Sequence, residues 1–284
     1  MLTIAIPSRT ERFLKHTIED ILKNATGEIE VFPVLDGYDI PDKVVDPRVT
    51  YLHLPKNKDT QKRHAINLVV SKARGKYVMS ADAHCMFAKG FDEQLAKDHQ
   101  DDWVQIPRRN RLDAENWCLQ DQKGKPPIDY EYFMWQGLNK DKPSLHGFRW
   151  DVRTRERWDI PIDDTLNFQG SCWFMTKDWF NKMGFMQIEG YTGWGQEAEE
   201  IGLKTRLNGG RVVTNKNTWY AHLHKGAKYG RMYFMSRYAM RASYAYSTEL
   251  WLVKNRKFFT ELINKFMPIP GWPNEWEESL WKRL

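Results

Sequence analysis

The sequence predicts an α/β protein with a largely parallel central sheet flanked by helices, followed by a helical C-terminal extension. Three observations predict it. Short apolar runs, the pattern of strands buried on both faces, alternate with stretches of helical period over residues 2–81. Gly, Pro or Asp-Gly punctuates the ends of these runs. Past residue 225 the chain becomes helical in spacing and rich in aromatic residues as far as Pro268.

In chain order, residues 2–6 form a first strand, and Pro7-Ser8-Arg9 follow it. Residues 11–24 carry Leu14, Ile18, Ile21 and Leu22 at helical spacing, giving one apolar face. Residues 29–35 read as a second strand closed by Asp36-Gly37, and residues 49–54 as a third. Residues 60–73 place Ala65, Val69 and Ala73 on one side of a helix that Gly75 ends, and Tyr77, Val78 and Met79 begin a fourth strand. This alternation requires crossover connections and therefore mostly parallel pairing. Residues 101–167 mix charges with Trp and Tyr and are interrupted by Pro107, Pro126, Pro127, Pro143 and Pro161. A loop-rich insertion with an antiparallel hairpin is expected there. Regular structure returns with a strand at 170–175 and a helix near 177–183. A Gly- and Trp-rich turn then leads into a helix stopped by Gly209-Gly210, and strands follow at 211–214 and 218–221.

The bulk numbers exclude several classes. A chain of 284 residues with 41% hydrophobic and 14% aromatic content builds a real core and is not a disordered polymer. Cys85, Cys118 and Cys172 are too few and too scattered for a disulfide framework, which fits a reducing cytoplasm. There is no basic segment followed by a long apolar one at the N-terminus, and no run nears the ~18 apolar residues of a membrane span. A soluble cytoplasmic location is expected. The net charge of +6 is uneven: residues 225–257 hold eight Lys and Arg against Glu249 alone, so that window carries +7 and the rest of the chain −1. An anionic partner near the C-terminal region is the implication.

The chemistry concentrates in KYVMSADAHC, residues 76–85. Asp82 and His84 flank Ala83, and in extended chain residues two apart face the same side. An oxygen and a nitrogen ligand would then meet just past the carboxyl end of a strand, where open α/β sheets bind ligands. A divalent metal holding a nucleotide's phosphates is the expectation. The plain alternative makes Asp82 a turn cap and His84 a surface residue.

Seven segments in order resemble the GT-A glycosyltransferases. The likeness is to the large family 2 and, in the D-x-H motif, to the polypeptide N-acetylgalactosaminyltransferases. The segments are TIAIPSR, Asp36, the helix with Ala65, Asn67 and Gly75, Asp82-Ala83-His84, GSCWFMTKDWF, GWGQEAEEIGLKTRLNGGRV and YAHLHK. They span about four-fifths of the chain, residues 2–225. The resemblance implies a GT-A catalytic domain over residues 1–225, with a nucleotide-sugar-binding half at 1–100, the insertion at 101–169 and an acceptor half at 170–225. The extension covers 226–284. It implies a nucleotide-sugar donor, a UDP-sugar first, and a divalent metal, Mn²⁺ with Mg²⁺ as the alternative. The metal would be held by Asp82, His84 and His222, with His224 in reserve. Pro7, Ser8 and Arg9 would line the slot for base and ribose, and Asp36 would accept from the base's imide N–H. Lys62 and Arg63 would approach the diphosphate, unless they are only a solvated helix face. Asp36-Gly37 could equally be a plain turn.

On the acceptor side, the resemblance makes Glu197 the catalytic carboxylate and Trp194 a stacking face. Inverting members carry Asp after that Glu and retaining relatives carry Asn. Ala198 stands here, so the motif leans towards retention without settling it. Glu197 reads equally well as a carboxylate favoured by a helix N-terminus. In the extension, Tyr229, Tyr233, Phe234, Tyr238, Tyr244 and Tyr246 lie among Arg and Lys residues. That is how a nucleic-acid surface reads, and it suggests phage or bacterial modification of a hydroxymethylated pyrimidine in DNA. The competing reading packs these rings onto the catalytic domain. A protein Ser/Thr or a glycan remains open as acceptor, as does a non-catalytic protein that binds nucleotide sugar or nucleic acid. The sequence leaves the oligomeric state open.

Overall fold

A computed structural model describes residues 1–121, 123–138 and 144–284; Pro143, one of the pattern-breaking prolines, lies outside them. The first half runs β1 (Leu2–Ser8), α1 (Leu14–Asn24), β2 (Ile29–Asp36), β3 (Leu52–Leu54), α2 (Lys62–Lys72), β4 (Tyr77–Ala81), β5 (Cys85–Phe87) and α3 (Phe91–Asp98). It continues with β6 (Trp103–Asp113), β7 (Cys118–Leu119), β8 (Glu131–Phe133), α4 (Trp135–Leu138), β9 (Gly147–Arg149), α5 (Asp151–Glu156) and β10 (Ile162–Asp164). The last part comprises β11 (Cys172–Thr176), α6 (Lys177–Lys182), α7 (Glu197–Leu207), β12 (Arg211–His222), α8 (Gly226–Tyr229), α9 (Arg237–Thr248), α10 (Arg256–Phe266) and α11 (Trp276–Trp281).

The main sheet has the order β10-β12-β6-β11-β4-β1-β2-β3. Strands β3, β2, β1 and β4 are parallel, as are β6 and β12, while β11 and β10 run against their neighbours. Every residue of β2 is buried, which is why its apolar run is continuous rather than alternating. Of its two acids, Glu30 is matched by Thr3 Oγ1 and by Arg74, and Asp36 stands at the strand's carboxyl end. Gly75 lets α2 return tightly into β4. A Cβ there would sit 2.8 Å from both the Met1 carbonyl oxygen and Thr3 Oγ1. The result is a mixed α/β structure whose central, mostly parallel sheet is flanked by helices.

Two expectations need correcting. Residues 103–113 are not part of a loop-rich stretch but form β6, a long central strand. Pro107 is tolerated because it pairs with Asn215 where the β6–β12 register shifts between Asn215 and Trp219. The same irregularity explains the second correction. Residues 211–214 and 218–221 belong to one strand, β12, continuous across its bulge. The expected hairpin does form, from β8 and β9.

Two large hydrophobic cores result, with two small clusters beside them, one around Phe32 and Val69 and one around Phe13 and Leu112. The larger lies between the sheet and helices α1, α3, α6 and α7. The smaller joins Tyr130, Phe133, Leu145 and Trp150 to Trp251, Phe259, Ile263 and Trp276 of the C-terminal region. Trp272 Nε1 donates to the Phe133 carbonyl at 2.7 Å, tying the extension to β8. Most of the tryptophans are thus core. Among the described residues no helix is long and apolar enough to cross a membrane.

Candidate active site and metal centre

The carboxyl ends of β1, β2 and β4 open onto a narrow slot, and the end of β12 and the start of α7 open onto a larger cavity of about 650 Å³ beside it. Lys62, Asp82, His84, Trp194 and Tyr233 line both.

Asp82-Ala83-His84 is a turn between β4 and β5, not extended chain, so the two side chains converge for a different reason than alternation. Strand β5 pairs antiparallel with the end of β12, and His222 lies opposite Cys85. That register sets the third side chain beside the turn. His222 Nε2 stands 3.1 Å from His84 Nε2 and 3.4 Å from Asp82 Oδ2, and His84 Nε2 is 3.9 Å from the same oxygen. Ligands at right angles around an ion with bonds of about 2.1 Å lie about 3.0 Å apart, so the spacing fits a small divalent cation. The donor chemistry fits as well. Burial, with the neighbouring His84, lowers the His222 pKa to about 4 and leaves its lone pair free at neutral pH. Asp82 is half-buried, and despite the cost of desolvation Lys62, then His222 and His84, hold its carboxyl well below the usual range. His224 packs edge-on against His222 at 5.1 Å but is outside the cluster.

The slot is lined by Pro7, Ser8, Arg9, Asp36, Gln61 and Lys62. Asp36 accepts from the Gln61 amide N–H at 2.9 Å, from Gln61 Nε2 at 2.7 Å and from Arg9 at 3.3 Å. These bonds leave a lone pair on Oδ1 for one more donor. Lys62 Nζ donates to Asp82 Oδ1 at 2.7 Å and to the Gly170 carbonyl at 2.8 Å. Arg63 corrects the expectation. Its guanidinium is 5% exposed, paired with Glu200 and stacked over Tyr191 at 3.9 Å, so it has no access to a diphosphate. It donates instead to the Gly195 carbonyl and fastens the Trp194 loop.

That loop turns sharply through Gly195 at φ 109° and Gln196 at φ 66° before α7 begins at Glu197. The Gly195 N–H donates to Glu197 Oε1 at 3.2 Å. Glu197 therefore holds the helix start and lines the cavity at once, and Trp194 presents a face to both spaces under the Arg231 guanidinium.

Several residues with roles here had no motif to mark them. Glu11 Oε2 lies 3.3 Å from His84 Nδ1 and its carboxylate also accepts from Lys225, which places a carboxylate behind a candidate metal ligand. Glu131 and Glu199 line the same cavity as the cluster. A helix seen end-on exposes its whole first turn, so Glu199 reaches the same space as Glu197 although the two are not on one helical face.

The basic, aromatic segment divides in two. Tyr229 packs on Phe13, Tyr244 on His146 and Tyr246 on Tyr191, and Tyr233 lines the cavity. Phe234 and Tyr238 are 74% and 84% exposed beside the exposed Arg237 and Arg241.

Comparison with known proteins agrees with this geometry. The model for glycosyl transferase family 2 matches residues 3–184. The chain belongs to that family. No curated protein matches the sequence. Among solved structures, GalNAc-T7, crystallised with UDP, GalNAc and Mn²⁺, is similar over the whole chain at TM-score 0.69 and 16% identity. The S. aureus TarS fragment 1-349 matches 78% of the chain at TM-score 0.50 and 12% identity. At these identities the likeness is one of fold. The chain covers 55% of that GalNAc-T7 chain and 60% of the TarS one.

Proposed function

We propose that the protein transfers a sugar from a nucleotide-sugar donor, a UDP-sugar first among candidates, to a hydroxyl acceptor. One observation carries the reading: Asp82, His84 and His222 converge at the junction of a slot suited to a base and ribose and a cavity suited to an acceptor. A divalent ion held there, Mn²⁺ by preference for mixed nitrogen and oxygen ligands, offsets the charge of the departing diphosphate. Pro7, Ser8, Arg9 and Asp36 hold the nucleoside, Lys62 adds a positive charge beside the phosphates, and Trp194 closes over the sugar. The UDP and Mn²⁺ in the GalNAc-T7 structure support this choice of donor and metal. On this reading residues 1–225 are catalytic and the helices after 225 support the acceptor wall. A screen of nucleotide sugars with Mn²⁺ tests it, following release of the nucleoside diphosphate. Release with none of them would favour a non-catalytic binder, and release indifferent to a chelator would remove the metal from the reading.

A nucleic-acid acceptor rests on the exposed Phe234, Tyr238, Arg237 and Arg241, a stacking and cationic patch one step along the chain from the cavity-lining Tyr233. A base presented to this cavity must leave its duplex. Hydroxymethylated DNA, a Ser/Thr peptide and a glycan offered side by side decide the acceptor. A gel shift that does not weaken between low and moderate salt counts against DNA.

A further inference from the structure

Besides Asp82, three carboxylates line the cavity, and they are engaged differently. Glu131 pairs with Arg109 at 2.5 Å, and Arg109 also donates to Gln169 at 2.8 Å. Glu197 accepts from the Gly195 N–H. Glu199 has no ion pair among the described residues, and the Asn167 amide is the neutral donor beside it. The titratable and charged groups around it are Glu197 from its own helix, Arg63 from α2, Glu131 from β8 with Arg109 behind it, His146 from the segment before β9, and Tyr244 from α9. Position 198, where inverting members carry their base, holds alanine, so the cavity has a reacting face and a vacant post for a base.

We infer that Glu199 is the catalytic base that takes the proton of the acceptor hydroxyl, an inference that rests on the transferase reading of the site. The acceptor oxygen bonds to the anomeric carbon while the bond from that carbon to the diphosphate oxygen breaks. The bonding pair leaves with the diphosphate, and the acceptor's proton passes to a Glu199 carboxylate oxygen. Attack from the side opposite the leaving group inverts the anomeric configuration. Burial, then the charges of Glu197 and Glu131, push the Glu199 carboxyl up to about 7, where a base is both ionised and effective near neutral pH.

The test is hydrolysis of a UDP-sugar with Mn²⁺, water serving as acceptor, from pH 5 to 9 in wild type, Glu199→Gln and Glu199→Asp. The wild-type rate should climb to a plateau with a midpoint near 7, and NMR should find the first-released sugar inverted. Glu199→Gln should lose about 10²- to 10⁴-fold and the rising limb with it, while keeping its thermal shift with UDP and Mn²⁺. Glu199→Asp should restore the limb at a reduced rate, and it decides the matter should the Gln variant not fold. A Gln variant within about threefold of wild type with the limb intact, or a sugar released with retained configuration, overturns the inference and leaves the transferase reading standing. A wild type that hydrolyses no donor refutes both.

Discussion

Replacing Glu199 by glutamine should make the protein more stable, and only at neutral to alkaline pH. The carboxyl's ordinary pKa of 4.5 rises to about 7 in the fold, so the folded state binds a proton that the unfolded chain has released over that interval. The stability contributed by the protonated form is complete below about pH 4.5, declines as pH rises and is gone above about 7. The whole difference corresponds to roughly 3 kcal/mol. Glutamine keeps the shape of the protonated acid without ionising. The variant should therefore match wild type near pH 5 and exceed it by up to about 3 kcal/mol at pH 8. For a chain of this length the unfolding entropy is about 0.6 kcal/mol per degree, which makes the gain about 5 °C in Tm. Scanning fluorimetry of both proteins at pH 5, 6, 7 and 8, without metal, reads it directly. A Tm difference that is the same at every pH would refute the reasoning, because it would place the Glu199 pKa outside the interval.

Two further outcomes follow from the geometry. His222→Ala should abolish the Tm increase that Mn²⁺ produces, whereas Glu11→Gln, which alters the carboxylate shared by His84 and Lys225, should weaken Mn²⁺ binding about 10- to 100-fold by calorimetry; equal affinities in Glu11→Gln and wild type would remove Glu11 from the site. Arg63→Ala should cost about 3 kcal/mol in urea unfolding, at the lower end for a broken buried pair because Lys204 still bonds Glu200 at 2.6 Å, and a loss below about 1 kcal/mol would show that the pair does not anchor the Trp194 loop.

What the sequence made legible follows the range of the forces involved. β1, β2 and β4 are continuous apolar runs because both their faces are buried, and local pattern suffices to find them. The slot residues Pro7, Ser8, Arg9 and Asp36 stand at the ends of those same strands, but it was the family resemblance that singled them out. β6 was hidden by Pro107, and β12 by the polar Asn215-Lys216-Asn217 at its bulge, since a bulge absorbs residues that a regular ladder rejects. The D-x-H pair was legible by type but not by conformation, because the turn that aims it is fixed by pairing of β5 with a strand more than a hundred residues away. Arg63 looked like a surface cation because helical spacing is silent about a partner at Glu200. Glu11, Glu131 and Glu199 carry no local signal, since each acquires its neighbours only when distant segments close around the cavity.

The division into two cores has a consequence for how this molecule can diversify. Asp82 and His84 stand between Ala81, Ala83 and Cys85 of the larger core, while Glu131 and His146 stand beside Tyr130 and Leu145 of the smaller one. On the proposed reading, substitutions that repack Trp251, Phe259 or Trp272 would act on the acceptor side and leave the donor-side strands of the larger core in place. If that reading holds, lineages could exchange what receives the sugar while inheriting unchanged the apparatus that activates it.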